Sequence, residues 1–247
     1  MKATSDGCGC FPTGRHYPGI AHLLRTIVRG LADEFASDAP WNELDIALLD
    51  VETTGRDAGV DRVVEVGVVI GREGTIVLRK NWLVNPGVPI PASASEIHGI
   101  KDDDVKDAPS FGAIADELAE VLRAKVPAAY NANFDKTFIL SEFARLGART
   151  TPAPPALRRE TEWVDPLIWA RELQSEERSR ALGDVAARLG IALENAHRAA
   201  DDAEAALRVL YALARDPRVP RAYGALVQEQ RRLGLAQADE RRMWRKS

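Results

Sequence analysis

Apolar residues along the chain change their spacing twice, and the changes mark out its elements. Between about Gly19 and Phe35, Ile20, Leu23, Leu24, Ile27, Val28 and Leu31 recur at helical spacing, which predicts one amphipathic helix in an extension over residues 1–40. Apolar and β-branched runs then predict strands over Asp45–Val51, Arg62–Ile70 and Thr75–Val84, with Gly71–Gly74 as the turn between the last two. Short connections between three successive strands imply antiparallel pairing. Beyond them the pattern alternates. Phe111–Ala124 and Phe134–Leu146 read as helices around a short buried strand, Val126–Asn131. The Pro-rich Thr150–Ala156 reads as a loop, and Glu162–Val164 as a last short strand. Helices are expected over Pro166–Leu173, Ala181–Leu189 and Asp202–Ala214. Five strands, followed by and interleaved with helices, predict an α/β domain on a mixed sheet, spanning residues 41–215. An Arg-rich helical tail over 216–247 contains Arg231, Arg232, Arg241, Arg242, Arg245 and Lys246 and reads as a solvated helix end.

Composition narrows the function classes. With 247 residues and 45% hydrophobic content, the chain can bury a substantial core. No apolar run reaches membrane-spanning length and the N-terminus lacks a secretory pattern, so a cytoplasmic protein without membrane partners is expected. Cys8 and Cys10, with His16 and His22 nearby, fit no zinc template. A net charge of −4 argues against a protein that coats nucleic acid through a broad basic surface. It leaves room for an enzyme whose clustered carboxylates hold cations and whose substrate is gripped by a few local arginines or lysines.

Three segments carry such carboxylates. Asp50 and Glu52 end a strand and, two residues apart, project to one face; two converging anions repel unless a cation lies between them. Thr53-Thr54-Gly55 then breaks the strand. Asp135 opens a helix and shares a face with Phe138 and Ile139, which turns it inward. Asp201 and Asp202 are adjacent, and helix phase separates them. Asp202 lies with Ala206, Val209, Leu210 and Leu213 on the apolar face, whereas Asp201 lies on the polar face and reads as a solvent-side cap. His197, five residues earlier, is expected on the loop entering that helix, where it is the natural general base. Glu65, in an otherwise apolar strand, is explained by a hydrogen bond to backbone, and Asp165 reads as a supporting residue.

In their order and spacing, Asp50–Gly55, Asn131–Asp135 and His197 with Asp202 resemble the motifs of the DEDDh family of 3′→5′ exonucleases, which includes the epsilon proofreading subunit of bacterial replicative DNA polymerase and ribonuclease T. Ile97-His98-Gly99-Ile100 resembles the segment that lines that family's terminal-nucleotide pocket. The resemblance runs from about Leu44 to Ala214 and implies a ribonuclease H-like fold. It also implies two Mg²⁺ or Mn²⁺ ions held by Asp50, Glu52, Asp135 and Asp202, with His197 as base and Thr53, His98 and Phe134 gripping the terminal nucleotide. For Phe134 a core role is an equal reading. The expected substrate is the 3′ end of single-stranded DNA or RNA, with DNA favoured, and the product is a 5′-mononucleotide. A DNA polymerase subunit is an expected partner. RNA trimming by the same chemistry, or a non-catalytic binding module on the same fold, are the competing readings.

Overall fold

The computed structural model describes residues 29–147, 152–193 and 196–244. Four strands form one sheet: β1 (Ile46–Thr53), β2 (Val63–Arg72), β3 (Thr75–Leu83) and β4 (Val126–Ala128). Their order is β3-β2-β1-β4, with the first three antiparallel and β4 parallel to β1. The helices are α1 (Ala92–His98), α2 (Asp102–Val105), α3 (Phe111–Val121), α4 (Asn133–Leu146), α5 (Pro166–Leu173), α6 (Leu182–Arg188), α7 (Ala199–Leu213) and α8 (Tyr223–Trp244).

The expected fifth strand is reduced to a single bridge. Val164 pairs with Ala128, receiving a bond from Ala129 N–H (3.0 Å) and donating one to Pro127 O (2.9 Å). On one side Glu162 N–H turns away to Gly30 O. On the other, Asp165 and Pro166 start α5, so no ladder can extend. The expected N-terminal helix falls mostly outside the described residues, as do Cys8 and Cys10. Its described end, 29–35, consists of turns and irregular chain, with Leu31 and Phe35 packed on the core.

Strand alternation divides the core in two. Ala47, Leu49 and Val51 of β1, with Val66 and Val68 of β2, face α3 and α4. Ile46 and Leu48, with Val69, face the helical layer that includes α5, α7 and α8. The Arg-rich tail is therefore anchored at its start: Tyr223, Leu226, Val227 and Leu233 of α8 are buried in this second core. Gln230, also buried, receives a bond from Asp165 N–H (2.8 Å) and donates one to Trp163 O (2.8 Å), tying α8 to the start of α5. Among the described residues, no helix is long and apolar enough to cross a membrane.

Candidate active site

The same alternation that places Leu48 toward α7 places Asp50 and Glu52 on that face. Their cross-strand partners on β2 are Gly67 and Glu65 respectively. Gly67 is what lets the next carboxylate arrive. A Cβ built on it would lie 2.2 Å from Ala199 C and 2.3 Å from Ala200 N, so the first turn of α7 rests directly on the strand opposite Asp50. Three residues along that turn, Asp202 points into the same space and is buried. Helix phase thus separates the two aspartates as expected, but the cap reading for Asp201 needs correction. The helix begins earlier, at Ala199, and Asp201 sits within its first turn, paired with Arg79 at 2.7 Å.

His197 lies on the turn entering α7 with a left-handed φ of 68° and an exposed side chain. Its backbone N–H donates to Asp202 Oδ2 (3.1 Å), which fixes the turn against the helix. Ligand atoms of Glu52, His197 and Asp202 all lie within 4.8 Å of one another.

Asp135 reaches the site from the opposite layer. Because β4 stops pairing with β1 at Leu48, the Val51 N–H has no strand partner there, and Asp135 Oδ1 accepts it at 3.0 Å. The turn before α4 is held in place by Asp165, whose carboxylate accepts from Asn131 N–H (3.0 Å), Ala132 N–H (3.1 Å) and Leu167 N–H (2.9 Å). Asp165 therefore aims Asp135 from outside the cluster.

The electrostatics of this cluster are those of crowded anions. Burial, then Asp202 and Glu65, raise Asp50 well above the usual carboxylate range. Burial, then Asp50, Asp202 and Glu65, push Glu52 up to about 9. Asp135 is raised by burial and by Asp50, against the pull of its backbone bonds. Asp202 is raised chiefly by burial, with His197 acting the other way. Asp50 is the group the others share. Asp202 Oδ1 is buried without a hydrogen-bond partner among the described residues. An orphaned carboxylate oxygen, an imidazole and mutually repelling carboxylates form a donor set suited to a hard divalent cation.

Two features of the site were not anticipated. Glu65 does accept the expected backbone bond, from Ala199 N–H at 3.0 Å, but it also binds Arg198 (2.7 Å) and Asn81 Nδ2 (2.8 Å) while fully buried. It thereby pins the α7 entry turn to β2 and β3. Gly67 was also missed, although a lone glycine in Val-Val-Glu-Val-Gly-Val-Val-Ile is the usual sign of a close backbone approach.

Beside the carboxylates lies a cleft of about 490 Å³. Thr53, His98 and Phe134 all line it, so the structure brings these three together as expected. Thr53 Oγ1 donates to Gly55 O (2.6 Å), which commits that hydroxyl to the turn. His98 is buried, and its Nδ1 accepts from Ile100 N–H (3.1 Å), placing any single ring proton on Nε2. Burial lowers its pKa, while the Thr53 backbone favours the protonated ring. Phe134 packs both ways: it lines the cleft and lies tilted against Phe138, with ring centroids 4.9 Å apart and planes at 47°.

Residues 48–210 match the model of the RNase_T exonuclease family. The chain belongs to this family. Within it, the chain is 32% identical over 170 residues to the PolC-type DNA polymerase III of Streptococcus pneumoniae, a match covering 69% of this chain and 11% of that protein. The corresponding polymerase of Streptococcus thermophilus is also 32% identical, over 174 residues, with coverage of 70% and 11%. This chain thus spans about a ninth of the length of these relatives. Among solved structures, Exonuclease X in complex with 5′-overhanging duplex DNA superposes with a TM-score of 0.57 at 21% identity, covering 74% of this chain and 99% of that one. Escherichia coli Exonuclease I with a dA16 oligonucleotide gives 0.60 at 20% identity, covering 71% and 42%. At these identities the structural likeness establishes the fold.

Proposed function

We propose that the protein is a divalent-metal-dependent 3′→5′ exonuclease that removes 5′-mononucleotides from single-stranded nucleic acid, with DNA the favoured substrate. The observation that carries this reading is the convergence of Asp50, Glu52, Asp135 and Asp202, from β1, α4 and α7, with His197 beside a nucleotide-sized cleft. Asp50, Glu52, Asp135 and Asp202 would hold two ions, Mg²⁺ or Mn²⁺. Such ions lower the pKa of water and neutralise charge building up on the scissile phosphate.

The chain's own groups do the rest. The cleft between Phe134 and His98 takes the terminal nucleoside. Thr53, fixed by its bond to Gly55, shapes the floor beside Glu52. His197, exposed at the rim, takes the proton from the attacking water. The water oxygen bonds to phosphorus, the bond to the 3′-oxygen of the penultimate sugar breaks with its electron pair going to that oxygen, and the oxygen takes a proton from solvent water. Asp135 and Asp202 reach the cluster from rigid helices, each fixed by a backbone hydrogen bond, which limits reorganisation during the reaction.

DNA is favoured because the relatives are named DNA polymerases and two of the superposed structures contain DNA. Association with a polymerase is part of the same reading, since the relatives are named DNA polymerases. An RNA substrate is the second reading. It is favoured by a structural neighbour described as a 3′-exonuclease recognising the histone mRNA stem-loop, with a TM-score of 0.59 at 15% identity and coverage of 73% of this chain and 66% of that one. The test is a comparison of 5′-labelled single-stranded DNA, duplex DNA, mismatched ends and RNA, each with Mg²⁺ or Mn²⁺. A ladder shortening from the 3′ end, fastest on single-stranded DNA, is expected. Faster loss of RNA would move the assignment to the second reading.

A further inference from the structure

We propose that Arg56 grips the phosphodiester backbone of the strand as it enters the cleft, supplying the site's fixed positive charge toward substrate. This inference deepens the exonuclease reading and rests on it for the identity of the strand. Among the described residues lining the cleft, Arg56 is the one arginine and there is no lysine. The other ionisable side chains there are Glu52 and His98, whose pKa burial pulls down. A polyanion entering this cleft has a single permanent cation to meet.

The arginines nearby are engaged. Arg62 binds Glu142 at 2.8 Å, and Arg145 binds the same carboxylate at 3.2 Å. Arg145 also donates to the carbonyls of Ala58 (2.6 Å) and Asp61 (3.1 Å). Arg56 is exposed and makes no ion pair or hydrogen bond among the described residues. Outside an interaction with something that binds here, its charge has no structural role.

The loop that carries Arg56 is built to hold still. Thr54 N–H donates to Arg62 O (2.9 Å), and Arg62 N–H donates back to Thr54 Oγ1 (3.0 Å), which closes the loop at its base. Asp61 accepts from Asp57 N–H (2.8 Å) across its interior, and a Cβ on Gly55 would lie 2.4 Å from Asp61 Oδ2. Through Arg145 the loop is fastened to α4, the helix that also bears Asp135. A guanidinium on a fixed loop loses less entropy on binding than one on a mobile loop, and its planar fork suits a phosphate. Ile97, 59% exposed, lines the same cleft and offers apolar surface for a base.

The test measures binding and turnover separately. The probe is a 5′-fluorescein-labelled single-stranded oligodeoxythymidylate. Its binding is followed by anisotropy with Ca²⁺ across a salt series, and its shortening is followed with Mg²⁺. Arg56→Ala should weaken binding roughly tenfold at low salt, carried mainly by KM in turnover, and should reduce the slope of log affinity against log salt by roughly 0.7. Arg56→Lys should restore most of the slope, and Arg221→Ala, an exposed arginine away from the cleft, should leave it unchanged. Wild-type affinity and slope in Arg56→Ala would overturn the proposal. A loss of equal size at every salt concentration, not repaired by Arg56→Lys, would also overturn it, because a stacking contact behaves that way. Thermal melts of the variants separate these outcomes from misfolding. If the wild-type protein binds the strand with the predicted Arg56 dependence yet never shortens it, the exonuclease reading fails and the Arg56 contact stands.

Discussion

Asp50 stands where the other carboxylates of the cluster meet, and burial and its anionic neighbours raise its pKa. Folded-state pKa values of Asp50, Glu52, Asp135 and Asp202 are all raised, with Glu52 at about 9. Between the ordinary carboxylate range and about pH 9, the folded metal-stripped protein therefore binds more protons than the unfolded chain. Stability contributed by these groups is then present at low pH and lost as pH rises through the folded values. In EDTA, the difference in Tm between Asp50→Asn and wild type should grow in the variant's favour from pH 5 to pH 9. A constant difference across that range would contradict the crowding. Mg²⁺ or Mn²⁺ should raise the wild-type Tm more at pH 8 than at pH 6, and should raise that of Asp50→Asn far less.

Arg198 and Glu65 make a second residue-scale case. Removing the guanidinium leaves a fully buried carboxylate beside Glu52. Arg198→Ala should cost about 1–3 kcal/mol, less than a wholly buried pair because the Arg198 side chain is 46% exposed. Pairing it with Glu65→Gln should recover part of that loss in a denaturant-unfolding cycle, and additive losses would contradict the coupling. Asp50, Glu52, Asp135 and Asp202 were legible as separate residues because period-2 and period-3.6 phases fix which way a side chain points, and His197 was legible from its separation from Asp202, which puts it on the turn before α7. The Glu65–Arg198 pair was not, because a contact across 133 positions leaves no local trace.

At the scale of elements, α7 and β2 are joined by an approach that only glycine permits. Gly67→Ala places a methyl group against the backbone at Ala199 and Ala200, so a rotamer change cannot relieve it. We expect a destabilisation of about 2–3 kcal/mol. Because Asp202 is carried by the displaced turn, at least a tenfold loss of activity should accompany it. A stable Gly67→Ala protein with full activity would show that α7 does not need this seat. The antiparallel start and most helices were readable from periodicity. The fifth strand was over-read, since an apolar triplet ahead of Asp-Pro can bridge once and must then turn into α5. Helices α1 and α2 are too short to have a recognisable period, and α1 is nevertheless the element that brings His98 to the cleft.

Across the whole molecule, the sheet separates two cores and the candidate active site lies where their helices meet its edge. Asp202 comes from the α7 side and Asp135 from the α4 side, and β1 supplies the carboxylates between them. Helix α8, read from sequence as a solvated end, packs its first turns into the core and supports Asp165 through Gln230. Its sequence favoured the solvated reading because Arg231, Arg232, Arg241 and Arg242 mask the buried stripe of Tyr223, Leu226, Val227, Gln230 and Leu233. Gln230→Ala should lower Tm by several degrees and reduce activity less than substitution of any cluster carboxylate.

On the proposed reading, these carboxylates and His197 form one hydrolytic site. The most direct measurement is the single-turnover rate of 3′-end removal from 5′-labelled single-stranded DNA with Mg²⁺ or Mn²⁺, for wild type, Asp50→Ala, Asp202→Ala and His197→Ala. Shortening from the 3′ end by wild type is expected, with loss of at least roughly a thousandfold in either aspartate variant and roughly a hundredfold in His197→Ala. Degradation at near wild-type rates by both Asp50→Ala and Asp202→Ala would contradict the account.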